Sequence, residues 1–552
     1  MSACIYYHPE AYTTSGPKLM GRHAAGESFL RGFLAYGKAS EFWAQVERPE
    51  HAEEFAKVVK AAGRSEPIKI VSKSSLPALS QPGLVFFPGP GIGEHAWHRA
   101  AFGHGDWSLC GITHTICSAT AMEGLQDLLS APVQPWDAVI CTSNAGKAVV
   151  TRLLQAKADY LVERLGAQRI VLPQLPVIPL GVNTADFVFS APQRAAARAA
   201  IGADETTHVV LFVGRLSFHA KAHPLAMYQA LQRAAAELPA GQKVLLVEFG
   251  LHPNAHIAAA YRAAAQLACP DVRVLTLDGG APGNRDTAWA GADVFCSLSD
   301  NIQETFGIVP IEAMAAGLPV VVSDWDGYKD TVRDGVDGFR IPTLMPAGGL
   351  GADLAQRHAM NTDTFDMYIG QASSLVAVDV AAAAHAFGRL FASPALRAAM
   401  GAAGRERARS VFDWQVVIGC YEALWAQLAD LRGARPHDQK TLAHPWPARM
   451  DPFHAFTSYP TQTLGAQTRL ALADPSADLG AGRVAAYREL AMVNYAKLVL
   501  PTEAEVHQVL AGLSDGPAPA GELVRGFEAA RQAFVFRSLT WLVKLGVLRL
   551  DP

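Results

Sequence analysis

Residues 293–339 read DVFCSLSDNIQETFGIVPIEAMAAGLPVVVSDWDGYKDTVRDGVDGF, and few folds accommodate such a run. Its first part, residues 293–298, is a short apolar stretch bounded by polar residues, the pattern of a strand covered on both faces. A loop follows. Residues 308–316 are rich in helix formers, with Pro310 in the first turn, where its missing N–H costs nothing, and with Gly317 and Pro319 as a stop signal. Residues 318–323 are again apolar and β-branched. Strand, loop, helix and parallel strand form the unit in which ligands collect at the carboxyl ends of the strands.

The loop places Glu304 just before the helix and Glu312 about a turn inside it, so both carboxylates can face one pocket. Between them the amides of Thr305, Phe306, Gly307, Ile308 and Val309 lie at a helix N-terminus, where free N–H groups and the macrodipole favour an anion such as phosphate. Carboxylates would repel that anion on contact, but they accept hydrogen bonds well from hydroxyls on either side of it. A ligand with hydroxyls, phosphate and hydroxyls again is a nucleotide sugar. Two Glu at this spacing alone would be coincidence. The Phe-Gly loop, the Pro, the terminal Gly and the flanking strands reverse that balance.

The same segment resembles the donor-binding region of retaining glycosyltransferases of family 4. Their pattern of Glu, seven residues and Glu, then Ala-Met-Ala-x-Gly-x-Pro-Val-Val, is matched here without a gap. The resemblance implies the GT-B fold, with two Rossmann-like doubly wound α/β domains facing a cleft. The implied activity is transfer of a sugar from a nucleoside-diphosphate sugar, without a metal or other cofactor. It runs over about residues 1–432, and is strongest over residues 209–339.

Length and composition agree. The 552 residues suffice for three or four domains, half of them are hydrophobic, and no apolar run reaches membrane-spanning length. The N-terminus lacks the charged head and apolar core of a secretory signal, which points to the cytoplasm, with peripheral membrane contact left open. Seven cysteines without a C-x-x-C pair read as reduced, buried thiols. A net charge of −4 argues against nucleic acid as the main partner.

Along the chain, residues 3–7, 42–46, 68–72, 84–88, 107–112 and 138–142 read as strands of a first sheet. Helical patterns follow from Ala24, over residues 50–62 and over 143–165. Gly21 then lies at a helix N-terminus and, by the resemblance, in a loop closing over the diphosphate; Gly16 is the alternative. His114 follows a strand, where a side chain meets substrate, and the family keeps a His there beside the donor sugar. Glu123 is a companion or a plain exposed helical Glu. Residues 178–183, IPLGVN, resemble the family's turn between domains.

The second domain opens with a strand over residues 208–213 and the loop Gly214 to Lys221. Arg215 offers a planar fork and Lys221 a point charge to a diphosphate, as the family's G-R-L loop and following Lys do. His219 and His223 flank Lys221, but without nearby carboxylates they do not suggest metal. Asp324 and Asp326 form an Asp-x-Asp triplet, read here as surface carboxylates on a loop.

The organisation expected is thus an acceptor-side domain over residues 1–182, a nucleotide-sugar domain over 183–432, a linker over 433–450 and a mostly helical accessory module over 451–552. Residues 342–371 are an insertion outside the resemblance. In the last segment, from Leu500, five basic residues face six acidic ones, which disfavours DNA. A protein partner, a second subunit or the acceptor suits the module better. The acceptor itself is expected to be a glycan, a lipid-linked glycan or a small molecule of surface-glycan synthesis. Two alternatives stay open: a phosphorylase or epimerase on the same fold, and a catalytically silent sugar-nucleotide-binding scaffold acting through the module.

Overall fold

A computed structural model describes residues 3–13, 21–434 and 444–552. The chain divides into two compact units, Met1–Trp446 and Pro447–Pro552.

In the first unit, strands β1 (Cys4–Tyr6), β2 (Phe42–Gln45), β3 (Ile68–Val71), β4 (Leu84–Phe86), β5 (Ser108–Ile112) and β6 (Ala138–Ile140) form a parallel sheet in the order β3-β2-β1-β4-β5-β6. A second parallel sheet repeats the winding. Its strands are β7 (Thr207–Val213), β8 (Lys243–Gly250), β9 (Arg273–Asp278), β10 (Val294–Ser297), β11 (Val320–Ser323) and β12 (Gly338–Ile341), in the order β12-β11-β10-β7-β8-β9. In each sheet the chain steps three strands one way, returns beside the first strand and steps the other way. The reversal falls between β1 and β4 and between β7 and β10. A crevice opens at the carboxyl ends of strands at such a point.

The short apolar runs are strands because helices cover both faces: β10 and β11 are buried at every residue. Strand β12 was not among the sequence expectations. Its four residues follow a Gly- and Asp-rich turn, and it is admitted because Gly338 lacks a side chain; a Cβ there would lie 1.9 Å from the Val320 carbonyl oxygen.

The chain passes between the two sheets twice, side by side. The Val182 N–H donates to the Phe412 carbonyl (2.8 Å), and the Trp414 N–H to that of Val182 (3.2 Å). Helix Trp414–Gly433 then lies on helix Gly21–Tyr36 of the first sheet. There Phe29 meets Trp414 and Tyr421, Phe33 meets Trp425, and the Trp414 Nε1–H donates to Ser28 Oγ at 2.7 Å. Gly32 and Gly181 make room for the Trp414 ring, which a Cβ at either position would approach within 2.5 Å or less.

The 342–371 insertion is ordered. Strands β13 (Thr343–Leu344) and β14 (Ala377–Val378) pair antiparallel and bracket helices Ala352–Ala359 and Phe365–Ser373. In the second unit, β15 (Arg469–Leu472) pairs antiparallel with β16 (Ala518–Pro519) and β17 (Leu548–Leu550). Helices Ala477–Arg488, Glu503–Ala511 and Ala529–Lys544 share with this sheet a core that includes Leu470, Val506, Leu510, Leu539 and Leu548.

Candidate functional site

The loops leaving β7 and β10, the strands that flank the winding reversal of the second sheet, are tied together by the residues the sequence singled out. From the β7 loop, Arg215 Nη2 donates to Gln303 Oε1 at 2.9 Å and to the Ala220 carbonyl at 3.3 Å. Lys221 Nζ donates to Glu304 Oε2 at 2.7 Å. Buried Asn301 braces both loops, its Nδ2 donating to the His219 carbonyl (2.9 Å) and its Oδ1 accepting from the Gln303 N–H (2.9 Å). Burial alone would push the Glu304 carboxyl up. The Lys221 ammonium and the N–H groups of Thr305 and Phe306 overcome it and hold Glu304 below its ordinary value of 4.5.

Helix Ile308–Ala315 starts at Gly307, whose φ is +82°, and no side chain caps its first N–H groups. The Tyr328 ring occupies the place of a side chain at 307, with a carbon 1.9 Å from where a Cβ would stand, and the Tyr328 hydroxyl is hydrogen-bonded to Ser297 Oγ at 2.8 Å. An uncapped helix start beside Arg215 and Lys221 is a favourable place for an anion.

Glu312 has different surroundings from Glu304. It is half-buried, its charged neighbours are Arg285 and Asp186, and burial, opposed by Arg285, pushes it up to about 7. The two carboxylates thus lie in distinct electrostatic settings, one beside a bonded cation and one under net desolvation.

Asp324 keeps 40% of its side chain exposed, although its Oδ1 is sealed and lies 3.5 Å from Arg340 Nε; the reading as a surface carboxylate needs correction at Asp326. Its Oδ2 is sealed from solvent and lacks a hydrogen-bond partner. Its carboxyl stands well above the ordinary value, through burial first and the charge of Glu304 second. The turn is pinned inward on both sides: Trp325 Nε1 donates to the Asn301 carbonyl (3.1 Å), and Gly327 lies so close to Phe306 that a Cβ would come within 2.4 Å of its Cα.

The first domain supplies the opposite wall. His114 is half-buried in the loop after β5, three residues before Cys117, which packs with Ala220 of the Arg215–Lys221 loop and with Ile369. Ser143, the N-cap of helix Asn144–Leu165, donates to the Thr305 carbonyl at 2.6 Å, and the Asn144 N–H donates to Asp330 Oδ2 at 2.6 Å. Glu123 is exposed on helix Ala119–Asp127. Gly21 is the first residue of helix Gly21–Tyr36, whereas Gly16 lies outside the described residues.

Several of these residues were not legible in the chain. Gln303 and Asn301 sit beside Glu304 and could have been read as loop polar groups positioning it. Arg285, Ser143 and Asp330 carry no local signal. Neither does the insertion, whose Ile369 covers Ala220, next to Lys221. Among the described residues no three His, Cys, Asp or Glu side chains converge as a metal site requires, and no helix is long and apolar enough to cross a membrane.

Two parallel sheets with the same reversed winding, joined by a doubled crossing and a returning helix, are the GT-B arrangement of glycosyltransferases. The crystal structure of Anabaena HepE in complex with UDP superposes with a TM-score of 0.50 at 15% identity, over 77% of this chain and 100% of that one. A glycosyltransferase from Rickettsia africae gives 0.50 at 12% identity, over 77% and 98%. Residues 193–345 match the family described as glycosyl transferases group 1. Among curated relatives, the D-inositol 3-phosphate glycosyltransferase of Nocardia farcinica is 36% identical over 215 residues, which is 36% of this chain and 44% of the relative. That of Kineococcus radiotolerans is 29% identical over 321 residues, 53% and 63% respectively. The chain spans about half the length of the curated relatives it matches.

Proposed function

We propose that this protein is a retaining glycosyltransferase that moves a sugar from a nucleoside-diphosphate sugar to a hydroxyl of a glycan, lipid-linked glycan or small-molecule acceptor. The observation that carries this reading is the meeting of Arg215, Lys221 and the uncapped start of helix Ile308–Ala315 around Glu304, at the winding reversal of the second sheet. Cations and backbone donors fixed in advance stabilise the negative charge that grows on a departing diphosphate. Lys221 has three N–H groups and gives one to Glu304, so others remain for phosphate oxygens.

Glu304, ionised and partly satisfied by Lys221, accepts from hydroxyls of the transferred sugar. Glu312, farther along the helix, accepts from the ribose. His114 holds the sugar from the opposite domain, and the segment at Gly21 closes over the diphosphate. The bond from the anomeric carbon to the leaving phosphate breaks as the acceptor oxygen attacks from the same face, and the acceptor's proton passes to the leaving phosphate. No side chain is then required as nucleophile, which suits a Glu304 already engaged by an ammonium. Surface-glycan synthesis is the setting proposed for the acceptor. The relatives' names make an inositol phosphate the second acceptor to test.

Transfer is measured with UDP-, GDP- and ADP-sugars, chelator present throughout, and with both acceptor classes. Turnover by the parent, lost in Glu304→Gln while Glu312→Ala chiefly weakens nucleotide binding, supports the assignment. Full activity and affinity in both variants would overturn it. Phosphate-dependent turnover without an acceptor would favour a phosphorylase instead.

A further inference from the structure

Among the described residues only Asp326 and Asn361 combine a side chain with a left-handed backbone, at φ +47° and +53°. Asn361 is exposed after a helix, where Asn adopts this conformation readily. Asp326 is different. It stands in the turn between β11 and helix Tyr328–Thr331, beside Glu304, with Oδ2 sealed and unpartnered. A glycine would meet the backbone requirement without strain, and a buried carboxyl oxygen without a partner is costly. Backbone strain and a missing partner at one residue, beside the proposed donor site, point to a ligand that supplies the partner.

We propose that the Asp326 side chain turns out of its sealed position to meet the transferred sugar, its carboxyl hydrogen-bonding a hydroxyl that Glu304 also engages, so that the two residues together select the sugar. This rests on the donor-site reading above. The local charges fit. Lys221 is positive and Glu304 negative, and burial together with the Glu304 charge raises the Asp326 carboxyl and favours its protonated form. Asp330 adds a further negative charge near Asp326, itself engaged by the N-terminus of helix Asn144–Leu165. A sugar hydroxyl is both donor and acceptor. It donates to ionised Glu304 and accepts from the Asp326 acid proton, a pairing that two ionised carboxylates could not offer. Trp325 and Gly327, anchored on Asn301 and Phe306, hold the turn in place.

The ordinary alternative is that Asp326 serves only the turn, its carboxyl taking the Gly327 N–H and its carbonyl the Lys329 N–H at 3.3 Å. Two variants separate these. Asp326→Gly suits the backbone and deletes the carboxyl; Asp326→Asn keeps a neutral donor and acceptor of the same shape. Calorimetric titration with UDP, GDP, UDP-glucose, UDP-N-acetylglucosamine and GDP-mannose is run on the parent and both variants, with thermal melts alongside.

The inference expects the Gly variant to melt no lower than the parent and to bind UDP and GDP as the parent does. Its affinity for the preferred diphospho-sugar falls about tenfold or more, the range for one buried hydrogen bond. The Asn variant stays within about threefold of the parent, as expected when the donor and acceptor are conserved. A Gly variant that binds every diphospho-sugar as the parent does, while binding of the free nucleotides persists, overturns this inference alone. A parent that binds neither the nucleotides nor their sugars overturns the donor-site reading and this inference with it.

Discussion

Replacing Lys221 with Met removes the ammonium and keeps most of the aliphatic stem, so the perturbation falls on Glu304. The pair spans 2.7 Å, with side-chain exposures of 33% for Lys221 and 15% for Glu304. Solvent-exposed pairs contribute about 0.2–1 kcal/mol, and breaking a fully buried one costs about 3–5 kcal/mol. This one lies between, so Lys221→Met should cost about 1–3 kcal/mol at pH 7.5. The cost depends on pH with a definite sign. In the parent, Glu304 is held below 4.5, so its contribution is present above the unfolded value and lost only as pH falls through the lower folded value. In the variant, desolvation is no longer offset by the ammonium, and the folded carboxyl moves up. Its ionisation then opposes folding at neutral pH and ceases to do so as the group takes up a proton. The gap between parent and variant should therefore be widest near pH 7.5 and narrow toward pH 5. Urea unfolding at both pH values, followed by far-UV circular dichroism, measures it. A gap that is constant or wider at pH 5 would refute the claim that Lys221 acts by compensating a buried Glu304 charge.

Gly307→Ala should lower stability by about 2–4 kcal/mol, because it adds left-handed backbone strain to a collision with the Tyr328 ring; a melt unchanged from the parent would contradict the packing described. Glu312, pushed up to about 7, opposes folding above its unfolded value of 4.5, with the full effect reached above pH 7. Glu312→Gln should therefore be more stable to unfolding than the parent at pH 8, by no more than about 3 kcal/mol, with the advantage gone at pH 4, as urea unfolding at the two pH values would measure. The same variant should bind nucleotide more weakly, which titration with UDP and GDP would reveal.

How much of this was legible in the chain varies by residue. The run from β10 through helix Ile308–Ala315 to β11 could be read because its signals are local: an apolar strand between polar ends, Pro310 in a first turn, Gly317 at a stop. The Arg215–Lys221 loop was likewise marked by residue type at a strand end. Asp326 was misplaced because a carboxylate in a polar turn looks exposed. Only the anchoring of Trp325 on Asn301 and of Gly327 on Phe306 turns it inward. The buried Arg99–Asp137 pair and the Ser143 hydroxyl on the Thr305 carbonyl gave no signal either, because their partners lie 38 and 162 residues away.

The sequence by itself determined the six strands of the first sheet, β7 to β11 of the second, the start of helix Ile308–Ala315 and the residue types gathered at the carboxyl end of the second sheet, since propensity, burial pattern and capping act over a few neighbours. The tertiary structure alone decided that Lys221 neutralises Glu304, that Glu312 answers to Arg285, and that the insertion's Ile369 and the first domain's Cys117 close over Ala220. Desolvation and Coulomb interaction depend on distances in space, and those distances are set by how the two sheets wind and meet.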